Sequence, residues 1–423
     1  MKTILLTSLL LILAVQSFAQ QTVTLEMCRH KAIENYPLTR QQDILPQALN
    51  LKMESLNKNY LPQISITGQA HYQSDVTKTP IQDIPGLNIP TVDKDWYKVA
   101  LDVNQVIYDA SATKRQKKVE TAGYEIDRQS LEVELYHLKN RVRQVYFTLL
   151  LLRENQKVLQ LHYDHLKSKL PEVESAVLNG ALLSSNADIL RAELIRSEQA
   201  TREIEISIAS AIAIMNEITL MELTEKTIFL PPDVEEIPAT FSNNRPELGL
   251  FNLQQSKIEA SKELLGSSIL PRLSAFGQAG YGRPGYDMLN VNFDDFYMIG
   301  VRLHWKPWDW HASRKEKEIL SLQNEVIETR KDAFDQNLKI ELENIIAEIR
   351  KTEEWIARDL EIITLREKIT KSYSSQLDNG IITATQYLSE LTAESNARLD
   401  LERHRIMLLK ERLDYITALG NEF

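Results

Sequence analysis

Apolar and polar residues alternate strictly in four segments of the chain. In the first segment Ile64 and Ile66 alternate with Gln63, Ser65 and Thr67. A period of two predicts β-strands with one apolar and one polar face, and about ten residues suit a tilted strand that crosses a membrane. The residues that we expect to contact lipid are Ile64, Ile66, Val99, Leu101, Leu273, Ala275, Ile299 and Val301. Soluble hairpins packed on helices would alternate in the same way, so the pattern alone leaves that alternative open.

Most of the remaining chain has the apolar spacing of long helices. From Leu131 to Val177 apolar residues recur at alternating intervals of four and three, which is the seam of a coiled coil. We expect this helix to run from about Ala112 to Leu178 and to measure on the order of 100 Å. A second long helix is expected over 312–377, and helices over about 184–221 and 383–419 should return along the first two. The sequence therefore predicts two long antiparallel helical hairpins.

The chain repeats itself. The segment "YLPQISITGQAHY", which starts at Tyr60, recurs 209 positions later as "ILPRLSAFGQAGY". Further along, the two copies of the repeat are 200 positions apart, so that the dipeptide Asn179-Gly180 corresponds to Asn379-Gly380. Each dipeptide is expected to end a helix. We divide the chain into a first repeat over 20–229, a linker over 230–243 and a second repeat over 244–423. Each repeat supplies two strands and one hairpin.

Four membrane strands cannot close a barrel, and an open sheet would leave unpaired backbone groups in hydrocarbon. The chain is therefore expected to form an oligomer. Two copies would give eight strands, whose interior is filled by side chains, whereas three would give twelve strands and room for an open lumen. The fold expected from the pattern is mostly helical, with long coiled-coil hairpins that form an α-barrel and four strands per chain in a trimeric twelve-stranded β-barrel.

The N-terminal sequence and the net charge limit the possible location and partners of the protein. Residues 1–19 combine Lys2, an apolar stretch and small residues before Ala19, which predicts a signal peptide and export. The formal net charge of -10 argues against a nucleic-acid partner. The only cysteine, Cys28, is expected to be a small buried side chain.

The sequence offers no chemistry for catalysis. No nucleotide-binding loop, Ser-His-Asp order or metal-ligand cluster can be assembled from it, so we expect neither an enzyme nor a cofactor or metal. His162 and His165 lie three apart on a helix, but off the coiled-coil seam. We therefore expect both histidines to be solvated.

Several motifs, taken in order, resemble the TolC family of trimeric outer-membrane efflux and secretion channels. They are the opening "TVTLEMCRHKAIENYPL", the strand entries "YLPQISITG" and "ILPRLSAFG", the strand exits "VIYDASATKRQ" and "KPWDWHASRKE", and the hairpin turns "LNGALLSSNADILRAEL" and "DNGIITATQYLSELTAES". The resemblance covers the mature chain. It implies a homotrimer in the outer membrane that extends into the periplasm, a periplasmic adaptor protein and an inner-membrane pump of the RND or ABC type as partners, and export of small molecules or proteins.

The resemblance also implies functional positions. The hairpin-tip residues that would contact the adaptor are Asn179, Gly180, Ala181, Asn379, Gly380 and Ile381. Some members narrow the tunnel mouth with acidic residues after the second tip; here the corresponding places hold Gln386 and Ser389, with Glu390 adjacent, and these three are the candidate constriction. An acidic partner after the first tip is replaced by Asn186. The alternative from another class is an exported coiled-coil adaptor or scaffold with soluble hairpins.

Overall fold

A computed structural model describes residues 22–76, 93–234, 242–287 and 290–421. The expected signal peptide and residues 235–241 of the expected linker lie outside this part of the chain. The helices are α1 (Leu25–Asn35), α2 (Gln41–Asn57), α3 (Ala112–Leu178), α4 (Ser184–Thr219), α5 (Pro246–Leu265), α6 (Ala312–Asp378) and α7 (Ala384–Ala418). The strands are β1 (Thr22–Val23), β2 (Gln63–Tyr72), β3 (Asp95–Tyr108), β4 (Ile228–Phe229), β5 (Arg272–Arg283) and β6 (Asp294–His304).

The four long helices confirm the predicted hairpins. α3 and α6 have 67 residues each, and their return helices α4 and α7 have 36 and 35. α4 ends two residues before the predicted Met221, because Leu220 takes a left-handed conformation with φ of 51°. Asn216 fixes the chain after that stop, since its side-chain amide both accepts from the N–H of Leu223 and donates to its carbonyl, each at 2.9 Å. Among the described residues, no helix combines the length and apolar character needed to cross a membrane.

The chain divides into two compact units, each drawn from both sequence repeats. Among the described residues, the first consists of 22–40, 130–234, 242–248 and 332–421, and the second of 41–76, 93–129, 249–287 and 290–331. The core of the first unit includes Leu138, Val142 and Leu149 of α3. The buried hydroxyl of Tyr146 lies 2.8 Å from the carbonyl oxygen of Val23 in β1 and 2.7 Å from that of Leu230 beyond β4. Cys28 is fully buried in this core, as expected, and burial raises the pKa of its thiol to about 12.

The second unit contains an antiparallel sheet of four strands in the order β2-β3-β5-β6. β2 pairs Ile66 with Leu101, and β3 pairs Leu101 with Ala279. β5 pairs Ala279 with Tyr297. Directly opposed residues share a face, so this register places all eight expected lipid-facing residues on one side of the sheet. The two predicted strand pairs and their faces are therefore confirmed.

Candidate functional site

The apolar face of the sheet is exposed in the chain. Ile66 and Ile299 are 77% and 82% exposed, and Ile64 and Val301 are 68% and 65% exposed. Monomeric soluble proteins rarely expose contiguous apolar patches of more than a few hundred Å². This face therefore marks a contact surface for lipid or protein.

The opposite face of the sheet carries a connected polar network. Asp102 of β3 accepts hydrogen bonds from the Thr67 hydroxyl at 2.6 Å and from the Gln278 amide at 2.5 Å. Lys98 donates to the Gln278 oxygen at 3.1 Å and lies 4.5 Å from the ring centre of Phe296. The two faces thus differ as sharply as the alternation in the sequence predicted.

Each long hairpin turns at its Asn-Gly dipeptide. Gly180 and Gly380 have φ of 73° and 69°, a left-handed conformation that glycine adopts without strain. The N–H of Ala181 donates to the carbonyl of Ala176, and the N–H of Ile381 to that of Gln376, each at 2.9 Å. These bonds close the helix ends in the same way at both tips. The residues at the two tips that the sequence singled out are all exposed.

The two tips contact each other inside the first unit. The buried Asn186 accepts a hydrogen bond at 2.7 Å from the N–H of Ala384, at the start of α7. Lys169 of α3 forms ion pairs with Asp378 of α6 at 2.5 Å and with Glu172 at 2.7 Å. An apolar cluster joins the helices around these contacts; its fully buried members include Leu166, Leu190, Leu377 and Leu391. Asn186 therefore connects the two hairpins at a place where the resemblance led us to expect an acidic residue.

Solved structures of several membrane proteins are similar to this chain over most of its length. CusC superposes with a TM-score of 0.73 at 12% identity, covering 94% of this chain and 92% of its own. The outer-membrane channel OprN gives 0.72 at 14% identity, with 94% and 90% covered, and the outer-membrane protein VceC of Vibrio cholerae gives 0.68 at 12% identity, with 94% and 96% covered. The chain has the fold of the TolC-family channels. The sequence matches no protein-family model and no curated protein.

Within the TolC-type fold, the three candidate constriction residues have different surroundings. Gln386 completes a capping box with Thr383: the side-chain oxygen of Gln386 accepts from the N–H of Thr383 at 2.9 Å, while the Thr383 hydroxyl accepts from the N–H of Gln386 at 3.4 Å. Glu390 forms an ion pair with Arg366 at 2.7 Å. Ser389 is exposed. Two of the three side chains are therefore already bound within their own hairpin.

The expectation that His162 is solvated is wrong. His162 is buried, and this burial lowers the pKa of its imidazole, whereas His165 is exposed as expected. The buried stripe of α3 in this region is Val158, His162, Leu166, Lys169 and Val173. Leu166 and Val173 of this stripe lie on the predicted seam and belong to the apolar cluster that joins the helices at the tips. Packing against those helices also turns the neighbouring His162 inward.

The second hairpin of the TolC-type fold buries polar pairs that the apolar pattern did not reveal. His404 of α7 lies 2.6 Å from Asp359 of α6, and both are buried, with the Trp355 ring 4.9 Å from the imidazole. Glu411 is also buried, and burial raises the pKa of its carboxyl. Among the described residues no group of three His, Cys, Asp or Glu side chains is placed to hold a metal ion.

Proposed function

We propose that three copies of this chain form an outer-membrane channel that exports small molecules or proteins. The observation that carries this proposal is the sheet: one face is apolar and exposed, the other is polar, and the sheet ends in two edge strands. A membrane would cover the apolar face, and a water-filled lumen would solvate the polar one. The fold shared with CusC, OprN and VceC supports the same function.

The strand directions allow several copies of this sheet to close into a barrel. β2 and β6 are the edges, and because the order β2-β3-β5-β6 is antiparallel throughout, they run in opposite directions. β6 of one copy can therefore pair in antiparallel fashion with β2 of the next. Three copies supply twelve strands, which leave no unpaired edge in hydrocarbon.

The helical hairpins would form the periplasmic part of the channel. We propose that their tips, Asn179 to Ala181 and Asn379 to Ile381, contact a periplasmic adaptor, and that an inner-membrane pump of the RND or ABC type supplies energy. The apolar side chains beside the turns support a protein contact, since Leu178 is 88% and Ile381 70% exposed. Gln386, Ser389 and Glu390 would narrow the tunnel mouth behind the second tip.

The mass of the purified protein and its conductance test the channel. The mature protein in mild detergent should be a trimer, and it should make conducting pores in planar lipid bilayers. A monomer that makes no pores would overturn the proposal. Fractionation tests the scaffold alternative, because a channel should sediment with the outer membrane and resist extraction by salt, whereas a scaffold should be released.

The adaptor contact needs a probe that leaves the turns intact, since a side chain at Gly180 or Gly380 would strain the backbone. A photo-crosslinking amino acid at Leu178 or Ile381 should capture one periplasmic protein in cells, identified by mass spectrometry. The matched control is Leu220, which is 65% exposed in the same unit but lies outside both tips. Capture of the same protein from all three positions, or from none, would count against a tip-specific adaptor.

A further inference from the structure

The polar face of the sheet carries different charges in the two sequence repeats. At the 200-residue offset Asp102 of β3 corresponds to Arg302 of β6, and Asn104 corresponds to His304. At the 209-residue offset Gln63 of β2 corresponds to Arg272 of β5. The second repeat has thus placed two guanidinium groups where the first has an amide and a carboxylate.

The sheet register brings these cations together at one end. Arg272 lies directly opposite His304, and Arg302 lies opposite Ser274 in the next row on the same face. Rows on one face are two residues apart, or about 6.6 Å. This end of the sheet is the one where the chain enters β5 and leaves β6 towards α6. In the proposed channel, a solute that enters or leaves the barrel at this end would pass it.

The Arg302 guanidinium is held in a defined position. Its central carbon lies 4.8 Å from the ring centre of Phe276, in a cation–π contact. The Phe276 ring in turn lies close over Gly300 of β6, where a Cβ would be only 2.7 Å from a ring carbon. Glycine at position 300 therefore makes room for the ring that supports Arg302. Both Arg272 and Arg302 are exposed to solvent.

Carboxylates on this face do not neutralise the two arginines. Asp102 already accepts hydrogen bonds from Thr67 and Gln278, and Asp294 lies at the opposite end of β6. Within the described ranges neither Arg272 nor Arg302 forms an ion pair. The charged groups of the polar face are Lys98, Arg272 and Arg302 against Asp102 and Asp294, which gives a net charge of 3 - 2 = +1 per chain with histidine neutral.

We propose that Arg272 and Arg302 form an anion-selective ring at the helix-proximal end of the lumen, the end where β5 begins and β6 ends. This inference rests on the proposed trimeric channel, in which two arginines per copy give six guanidinium groups. At about 0.1 M salt the Debye length is about 10 Å, so such a ring attracts anions and repels cations across much of a pore. The solutes it favours carry carboxylate or phosphate groups, which guanidinium binds with paired hydrogen bonds.

Reversal potentials across planar bilayers in a KCl gradient test the ring. At about 0.1 M salt the unmodified channel should prefer chloride to potassium, and the preference should fade at about 1 M, where the Debye length is about 3 Å. The double variant Arg272→Gln/Arg302→Gln should lower the chloride-to-potassium permeability ratio by about twofold or more. Arg302→Asp, which restores the residue of the first repeat, should lower it further. Arg302→Lys should retain the preference.

Lys315→Gln is the matched control, because it removes one positive charge from α6, where Lys315 pairs with Glu318 at 2.7 Å. It should leave the chloride-to-potassium permeability ratio unchanged.

Two results would contradict the proposed ring while leaving the proposed channel intact: pores that conduct without a preference for anions, or a preference that the double variant retains. If the unmodified protein makes no pores, the proposed function fails and this inference with it. If the double variant does not insert, the single substitution Arg272→Gln and the Arg302→Lys variant decide the matter.

Discussion

The ammonium group of Lys169 in α3 lies 2.5 Å from a carboxylate oxygen of Asp378 at the end of α6, and so joins two hairpins from different sequence repeats. The Lys169 side chain is 7% exposed. Burial alone would lower its pKa, but hydrogen bonds to Asp378 and Glu172 outweigh burial and raise the pKa. The lysine therefore stays charged at neutral pH inside the packed tips.

Removing both carboxylate partners of Lys169, Glu172 and Asp378, should lower the free energy of unfolding by more than the sum of the two single substitutions. Asp378→Asn alone leaves Glu172 in place and should cost about 1 kcal/mol, as for a half-exposed ion pair. Glu172→Gln/Asp378→Asn leaves a buried ammonium without a carboxylate and should cost about 3 kcal/mol. A double-mutant cycle gives the coupling free energy between the two substitutions. Each variant is measured by thermal unfolding, monitored by circular dichroism. Strict additivity would contradict the shared role of the two carboxylates.

Asn186 should contribute to stability through one buried hydrogen bond. Asn186→Leu leaves the N–H of Ala384 buried without its acceptor and should destabilise the protein by about 1–3 kcal/mol. The neighbouring Ser185 is exposed, so Ser185→Ala should change the melting temperature little. Equal effects of the two substitutions would argue against the hydrogen bond as the cause.

The two tip glycines should respond differently to alanine. Both have positive φ, so either substitution should cost about 1–2 kcal/mol. A Cβ at Gly380 would also lie 3.3 Å from the carbonyl oxygen of Ala181, whereas a Cβ at Gly180 meets nothing within 4 Å. Gly380→Ala should therefore lower the melting temperature more than Gly180→Ala. The reverse order would show that the tips do not pack as described.

Glu411 should make stability depend on pH. Because burial raises the pKa of its carboxyl above the ordinary 4.5, the folded protein holds this proton more tightly than the unfolded chain. Stability should fall as pH rises from 4.5 through the raised pKa. Glu411→Gln should therefore raise the melting temperature at pH 7 by about 2 °C and have little effect near pH 4. A stabilisation that is the same at both pH values would contradict ionisation as the cause.

A charge should be tolerated on only one face of the sheet. Ile299→Lys places an ammonium on the apolar face, where a membrane midplane would penalise it by about 2–4 kcal/mol. Met298→Lys introduces the same side chain one residue earlier, on the polar face. The amount of trimer recovered from outer-membrane fractions should fall for Ile299→Lys and not for Met298→Lys. Equal recovery would mean that lipid does not cover this face.

Local patterns were enough to predict most of the fold. Alternation around Ile66 and Val99 predicted the strand faces, and each Asn-Gly dipeptide predicted a hairpin end, because both signals depend on neighbouring residues alone. The burial of His162 and Lys169 depends on helices far away in sequence, such as α6, which supplies Asp378 as the partner of Lys169. The pair of His404 with Asp359 was missed for the same reason: neither residue has an apolar pattern that marks it as buried.

The outer strands of the sheet have a consequence for how the protein matures in the cell. A newly made chain exposes the unpaired backbone groups of β2 and β6 beside a broad apolar face. In other proteins this combination promotes edge-to-edge aggregation. Assembly of the proposed trimer and such misassembly both begin with the collision of two chains. A chaperone that covers the edges and the apolar face until the copies meet would therefore protect the yield of the protein.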